Sequence, residues 1–119
     1  MTTTIPTPQA LLTRAADIIT ERGWAQGDYI SDTGCVCAIG AIYLAAGEAA
    51  GIEVDLHELA ISAELPVEVA MAARAAEDLA AERVVDQAPD GIAYYNDQHA
   101  ASAAEVVAVL RAAAEGGVQ

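Results

Sequence analysis

Two cysteines, two histidines and an Asn-Asp pair are the residues of this chain whose chemistry could go beyond packing. Cys35 and Cys37 stand one residue apart in an uncharged run, residues 33–47. On a regular helix, residues two apart point about 200° from each other, so the pair cannot clasp one metal ion there. A disulfide between them would close a strained ring. With Cys35 still in the preceding loop both thiolates could face one ion. His57 and His99 would then have to complete the site, and neither has ligand-like local spacing. No metal and no cofactor is expected.

Cys37 can also be read as a nucleophile. In the first turn of a helix the dipole lowers a thiol's pKa. His99, or less directly His57, would be the base, with Asn96 or Asp97 orienting it. The chain would then be a cysteine-dependent hydrolase or transferase with Cys37, His99 and Asp97 as its catalytic set. The opposing reading is that cysteine is a small apolar residue filling a tight crossing, like the alanines around it. That reading is the stronger, because buried thiols are common and inert.

A second set of residues suits binding. Trp24 and Gln26 lie in the turn 23–27 and Tyr95, Asn96 and Asp97 in a later junction. Trp24 follows a helix end and should fold back onto the core, with a partner for its indole N–H. Of Tyr94 and Tyr95, one ring is expected inside and one outside. Asn96 and Asp97 suit a cap or turn, because short polar side chains bond nearby backbone N–H groups.

The elements that must position these residues are mostly helical. The chain has 119 residues, enough for one domain with a real core. Alanine dominates and phenylalanine is absent, so the core is built from small side chains on good helix formers. Residues 1–6 read as a loose lead-in, 7–115 as one helical domain and 116–119 as a tail. Thr7-Pro8 starts a first helix, with Leu11, Leu12, Ala15, Ile18 and Ile19 as its inner stripe, and Gly23 ends it. Asp32 or Thr33 would cap the central helix of 33–47, with Gly47 or Gly51 closing it. Gly40 in its middle needs a packing reason, most simply a neighbouring helix pressed close.

Asp55 through Glu58 form a capping box ahead of a short helix, which Leu65-Pro66 breaks. A further helix runs from Pro66, with Val69, Ala72, Ala73, Ala76, Leu79 and Ala80 inward and Glu68, Arg74, Glu77, Asp78 and Glu82 toward water. Residues 83–95, around Pro89-Asp90-Gly91, read either as a short β-hairpin or as a helix end plus loop. Ser102 with Glu105 opens the last helix, whose inner face is Val106, Val109, Leu110 and Ala113. The fold expected is a mainly α, single-domain bundle of four to five helices around the Ala/Gly-rich one.

Charge excludes some partners. The net charge is −13, and all five basic residues are arginine. Residues 1–46 carry net −2 and residues 47–119 net −11. Such a field repels nucleic acid and anionic membrane. It serves as a solubility device, or as a surface that mimics nucleic acid and occupies a nucleic-acid-binding protein. No run is long and apolar enough to span a bilayer, no secretory leader is evident, and a cytoplasmic setting is expected.

Four pieces form a recognisable pattern: Arg22-Gly23-Trp24 with Gln26-Gly27, then Cys37-Ala38-Ile39-Gly40-Ala41-Ile42, then Asn96-Asp97, then Ala104-Glu105-Val106 through Leu110. The pattern resembles a domain-of-unknown-function family of small actinobacterial and actinophage proteins, over most of residues 9–114. Tyr95 stands where relatives often have Trp. The resemblance implies an accessory or phage-borne role, with no assigned activity, substrate or cofactor. The function expected is a non-enzymatic interaction protein. Its protein partner would meet either the acidic helices of 55–82 or the cluster around Trp24, Tyr95, Asn96 and Asp97. A homodimer packed through an Ala-rich surface with Gly40 is a further expectation.

Overall fold

Helix boundaries follow local chemistry along most of the chain. The structure, a computed structural model, describes residues 5–56 and 65–116. The capping box reaching Glu58, the short helix after it and His57 lie outside the described residues. Helix α1 (Pro8–Arg22) starts where the Thr7 hydroxyl accepts the Ala10 N–H at 3.0 Å, with Pro8 at its first position. It ends at Gly23, whose φ of +98° an L side chain rarely adopts. Leu11, Leu12, Ala15, Ile18 and Ile19 are all buried, as the stripe requires.

Helix α2 (Ala38–Ala50) starts later than residues 33–47 suggest. Neither Asp32 nor Thr33 caps it. Residues 31–35 are instead closed into a tight turn by Ser31 N–H to the Cys35 carbonyl and Gly34 N–H to the Ser31 carbonyl. Cys37 is the N-cap: its Sγ accepts the Gly40 N–H at 3.3 Å. The helix runs past Gly47 and stops at Gly51, which is left-handed. Nearly the whole of α2 is buried, so it is the central Ala/Gly-rich element. The close approach at Gly40 comes from the Tyr29 carbonyl of the incoming loop, not from a helix. Gly40 is therefore covered within the chain, which removes it as a contact for a second copy.

Helix α3 (Val67–Arg83) follows Pro66 and buries Val69, Ala72, Ala73, Ala76 and Ala80. Its inner face is four alanines and one valine, so its backbone lies close to its neighbours. After α3 there is no hairpin. Val84–Gln87 is a turn, and α4 (Ile92–Tyr94) runs on into a π-helical turn, Tyr95–His99. The β-rich composition at Ile92–Tyr94 is overruled because Tyr95 and Asn96 are drawn into the core. Helix α5 (Ala103–Gly116) opens with the Ser102 Oγ accepting the Glu105 N–H at 3.4 Å. The Glu105 carboxylate reaches the Ala101 N–H, one residue earlier than the usual capping box.

Helix α1 packs on α2, α3 and α5, and α2 also packs on α3 and α4. Among the described residues the result is an all-α globule of five helices. Among the described residues there is no strand, only isolated bridges from Val36 to Trp24 and to Ile30. None of the described helices is long and apolar enough to cross a membrane.

Candidate functional site

The loop 23–37 and the junction 95–100 meet at Asn96, which is fully buried. Its Oδ1 accepts the Trp24 indole N–H at 2.9 Å and the Ala38 N–H at 3.0 Å. Its Nδ2 donates to the Ala25 carbonyl at 3.0 Å and to Asp97 Oδ1 at 2.9 Å. Two donors and two lone pairs are the whole capacity of an asparagine amide, so nothing is left for a ligand. One side chain thus holds the Trp24 ring, the loop backbone and an otherwise orphan N–H at the start of α2.

Its neighbours do related work. Gln26 Nε2 donates toward the carbonyls of Asn96, Asp97 and Ala100, at 3.1, 3.3 and 3.5 Å. These carbonyls lie at the end of a π-helical turn closed by the Ala100 N–H on the Tyr95 carbonyl, where helical acceptors run out. Asp97 Oδ1 also accepts the Gly27 N–H at 2.9 Å. Tyr95 is buried, and its hydroxyl pKa is pushed up by that burial. Tyr94 is the ring outside. Trp24 is half-buried against the core. The five residues expected to bind a partner thus converge, and Trp24, Gln26, Asn96 and Asp97 place hydrogen bonds on one another and on the backbone.

Cys37, Asp97 and His99 do not assemble as nucleophile, orienting group and base. Cys37 is buried, with its thiol on the Gly40 N–H. Burial pushes its pKa up and outweighs the helix amides that would lower it; the Asp97 charge adds to the rise. His99 is exposed and packs its ring against Tyr94, centroids 5.4 Å apart. No hydrogen bond joins it to Cys37. Cys35 lies in the loop, half-buried, and a Cβ on Gly23 would stand 2.8 Å from its Sγ. Both thiols are free, so Cys35 fills the space that Gly23 leaves open.

Two polar arrangements had no local signal in the sequence. Tyr43 on α2 donates its hydroxyl to Glu77 Oε2 on α3 at 2.8 Å. Glu77 is therefore half-buried rather than directed to water, and desolvation pushes its carboxyl pKa up. On the opposite side Arg14 makes a two-pronged ion pair with Glu48, at 2.7 and 3.0 Å, and a third contact with Glu21. These charges edge a surface cleft of about 670 Å³ whose apolar lining includes Ile18, Leu44, Val54 and Leu56. Arg14 spends its guanidinium inside the cleft on its own carboxylates.

The outer face of α3 differs from all of this. Val67 is 70% exposed and Met71 66% exposed, one helical turn apart. Arg74, Asp78 and Glu82 continue the same stripe and are also exposed.

An all-α protein stitched at one saturated amide, with a part-apolar acidic helix outside, is the class that fold and geometry define. Residues 3–116 match the model of DUF6197, a family of unknown function, and the chain belongs to that family. No curated protein and no solved structure matches it.

Proposed function

We propose that the chain is a small acidic interaction protein whose partner protein docks on the outer face of α3. The observation that carries this is the exposure of Val67 and Met71, side by side on that helix. Single exposed apolar residues are ordinary on a protein surface, but neighbouring large ones with charged surroundings mark contact sites. Of the two surfaces open to a partner, the cluster around Trp24, Tyr95, Asn96 and Asp97 offers less, because the Trp24 indole N–H and the whole Asn96 amide are hydrogen-bonded within the chain. The Val67–Met71 pair supports a mixed apolar and polar interface rather than pure mimicry of a phosphate backbone, which needs carboxylates alone. The motif pattern of Trp24, Cys37 and Asn96-Asp97 supports an accessory role in an actinobacterial or phage setting, and the two free thiols support the cytoplasm as the place where it acts.

The test compares proteins retained by the wild-type chain with those retained by Met71→Glu and by His99→Ala. The proposal expects one or more partners to be lost from Met71→Glu and kept by His99→Ala. Identical retention by all three chains would overturn it.

A further inference from the structure

We infer that the partner segment seated on α3 is a basic amphipathic helix, apolar over one half of its docking face and rich in Lys or Arg over the other. This rests on α3 being the binding face and adds what must cover it. The stripe has two unlike halves. Val67 and Met71 form its first half, flanked by the small, half-buried Ala70. Asp78 and Glu82 form its second half, flanked by half-buried Ala75 and Ala81. The flanking alanines keep this surface low, so a second helix can approach along its length.

Charge selects among occupants. A second copy would bring Asp78 and Glu82 against the same residues in a parallel pair, or over Met71 and Val67 with Arg74 facing Arg74 in an antiparallel one, on chains that each carry −13. Nucleic acid and anionic bilayers are repelled for the same reason. A segment with Lys or Arg over Asp78 and Glu82 is attracted, and large apolar side chains over Val67 and Met71 remove that pair from water. Arg74 sits between the halves and forms no ion pair among the described residues. Its charge penalises a segment with a basic residue at that point, which fixes the register in which the partner lies.

The experiment uses the full chain and synthetic helical peptides of 17 residues, the length of α3. One carries Leu on its docking face in one half and Lys in the other, made in both orders. A control has Glu in place of each Lys. Wild type is expected to bind one order of the basic peptide at least about tenfold more tightly than the acidic control, and less tightly as salt is raised. Asp78→Arg with Glu82→Arg should reverse that preference, and Met71→Glu should abolish binding of both peptides. Equal binding of the basic and acidic peptides, with both lost in Met71→Glu, overturns the basic partner and leaves α3 as the binding face. Binding of the basic peptide that survives Met71→Glu overturns the inference as well, because adhesion to bulk charge then accounts for it. Binding of neither peptide also overturns it. Circular dichroism of each variant separates lost binding from lost fold.

Discussion

The Asn96 hub and the outer face of α3 are built on opposite plans. At the hub a polar side chain is taken fully out of water, and each of its four hydrogen-bonding positions is filled by the chain itself. On α3 two large apolar side chains are left mostly in water, Val67 at 70% and Met71 at 66% exposure. Burying an unsatisfied polar group is costly, and so is exposing neighbouring apolar groups. The hub removes the first cost by local saturation. The α3 face keeps the second, which makes sense where another molecule removes it. The difference teaches that polar residues gathered from distant parts of a chain need not form a site. What distinguishes a site is capacity left over.

Breaking the hub should have the largest effect. Asn96→Ala strands the Trp24 indole N–H, the Ala38 N–H and the Ala25 carbonyl. At about 1–3 kcal/mol for each buried orphan, with partial relaxation, a loss of about 3–5 kcal/mol is expected. Urea unfolding followed by Trp24 fluorescence measures it. A loss below about 1 kcal/mol would mean that water reaches the hub and that it has capacity for a ligand after all.

Gly40→Ala sets two principles against each other. Helix propensity alone favours alanine by at most about 1 kcal/mol at Gly40, in the first turn of α2. The added Cβ would collide with the Tyr29 carbonyl, a backbone atom that cannot swing away. A net loss of about 2 kcal/mol is expected, since overpacking that must move backbone typically costs 1–3 kcal/mol. A stabilised variant would show that loop 23–37 is not seated on α2.

How far the sequence could be read separates along the same line. The caps at Thr7-Pro8, Gly23 and Ser102 were legible because each depends on residues within one turn. The inner stripes of α1 and α3 were legible from period alone. The start of α2 was not, because Cys37 is an unusual N-cap and residues 31–35 are folded by their own turn. The hairpin alternative at 83–95 failed for a related reason. Ile92 and the tyrosines favour strands in isolation, but Asn96 is held by Trp24, which lies 72 residues earlier. That Gly40 needed a close neighbour was readable; that the neighbour is Tyr29 was not. Glu77 lay on the outward side by period, and only the hydroxyl of Tyr43 on another helix draws it in.

Glu77 lies between the two plans, half-buried with one partner. Its folded-state pKa is raised above the ordinary value of 4.5. The stability it contributes is therefore present below that ordinary value and lost as pH rises through the raised one. Glu77→Gln keeps an oxygen for the Tyr43 hydroxyl and removes the charge. It should be more stable than wild type near neutral pH, by an amount on the order of 0.5 kcal/mol, the usual scale outside the core. The gap should close below about pH 4.5, where the wild-type carboxyl is protonated in both states. Thermal unfolding across this pH range measures it, and a gap that widens on acidification would reverse the assignment.

The smallest effect on stability is expected where the effect on function is expected to be greatest. Met71→Glu removes an apolar side chain that is already in water, so the folded chain loses almost no burial. Its unfolding free energy should stay within about 0.5 kcal/mol of wild type. Helix propensity does not oppose the change, since Met and Glu are both good helix formers. If Met71→Glu instead costs 2 kcal/mol or more, the scale of a buried residue, then Met71 packs against this chain itself. The face would be part of the fold, and the contrast with the hub would disappear. If stability holds while partner retention is lost, the two plans are distinct: one region spends its chemistry on folding, and the other keeps it for a second molecule.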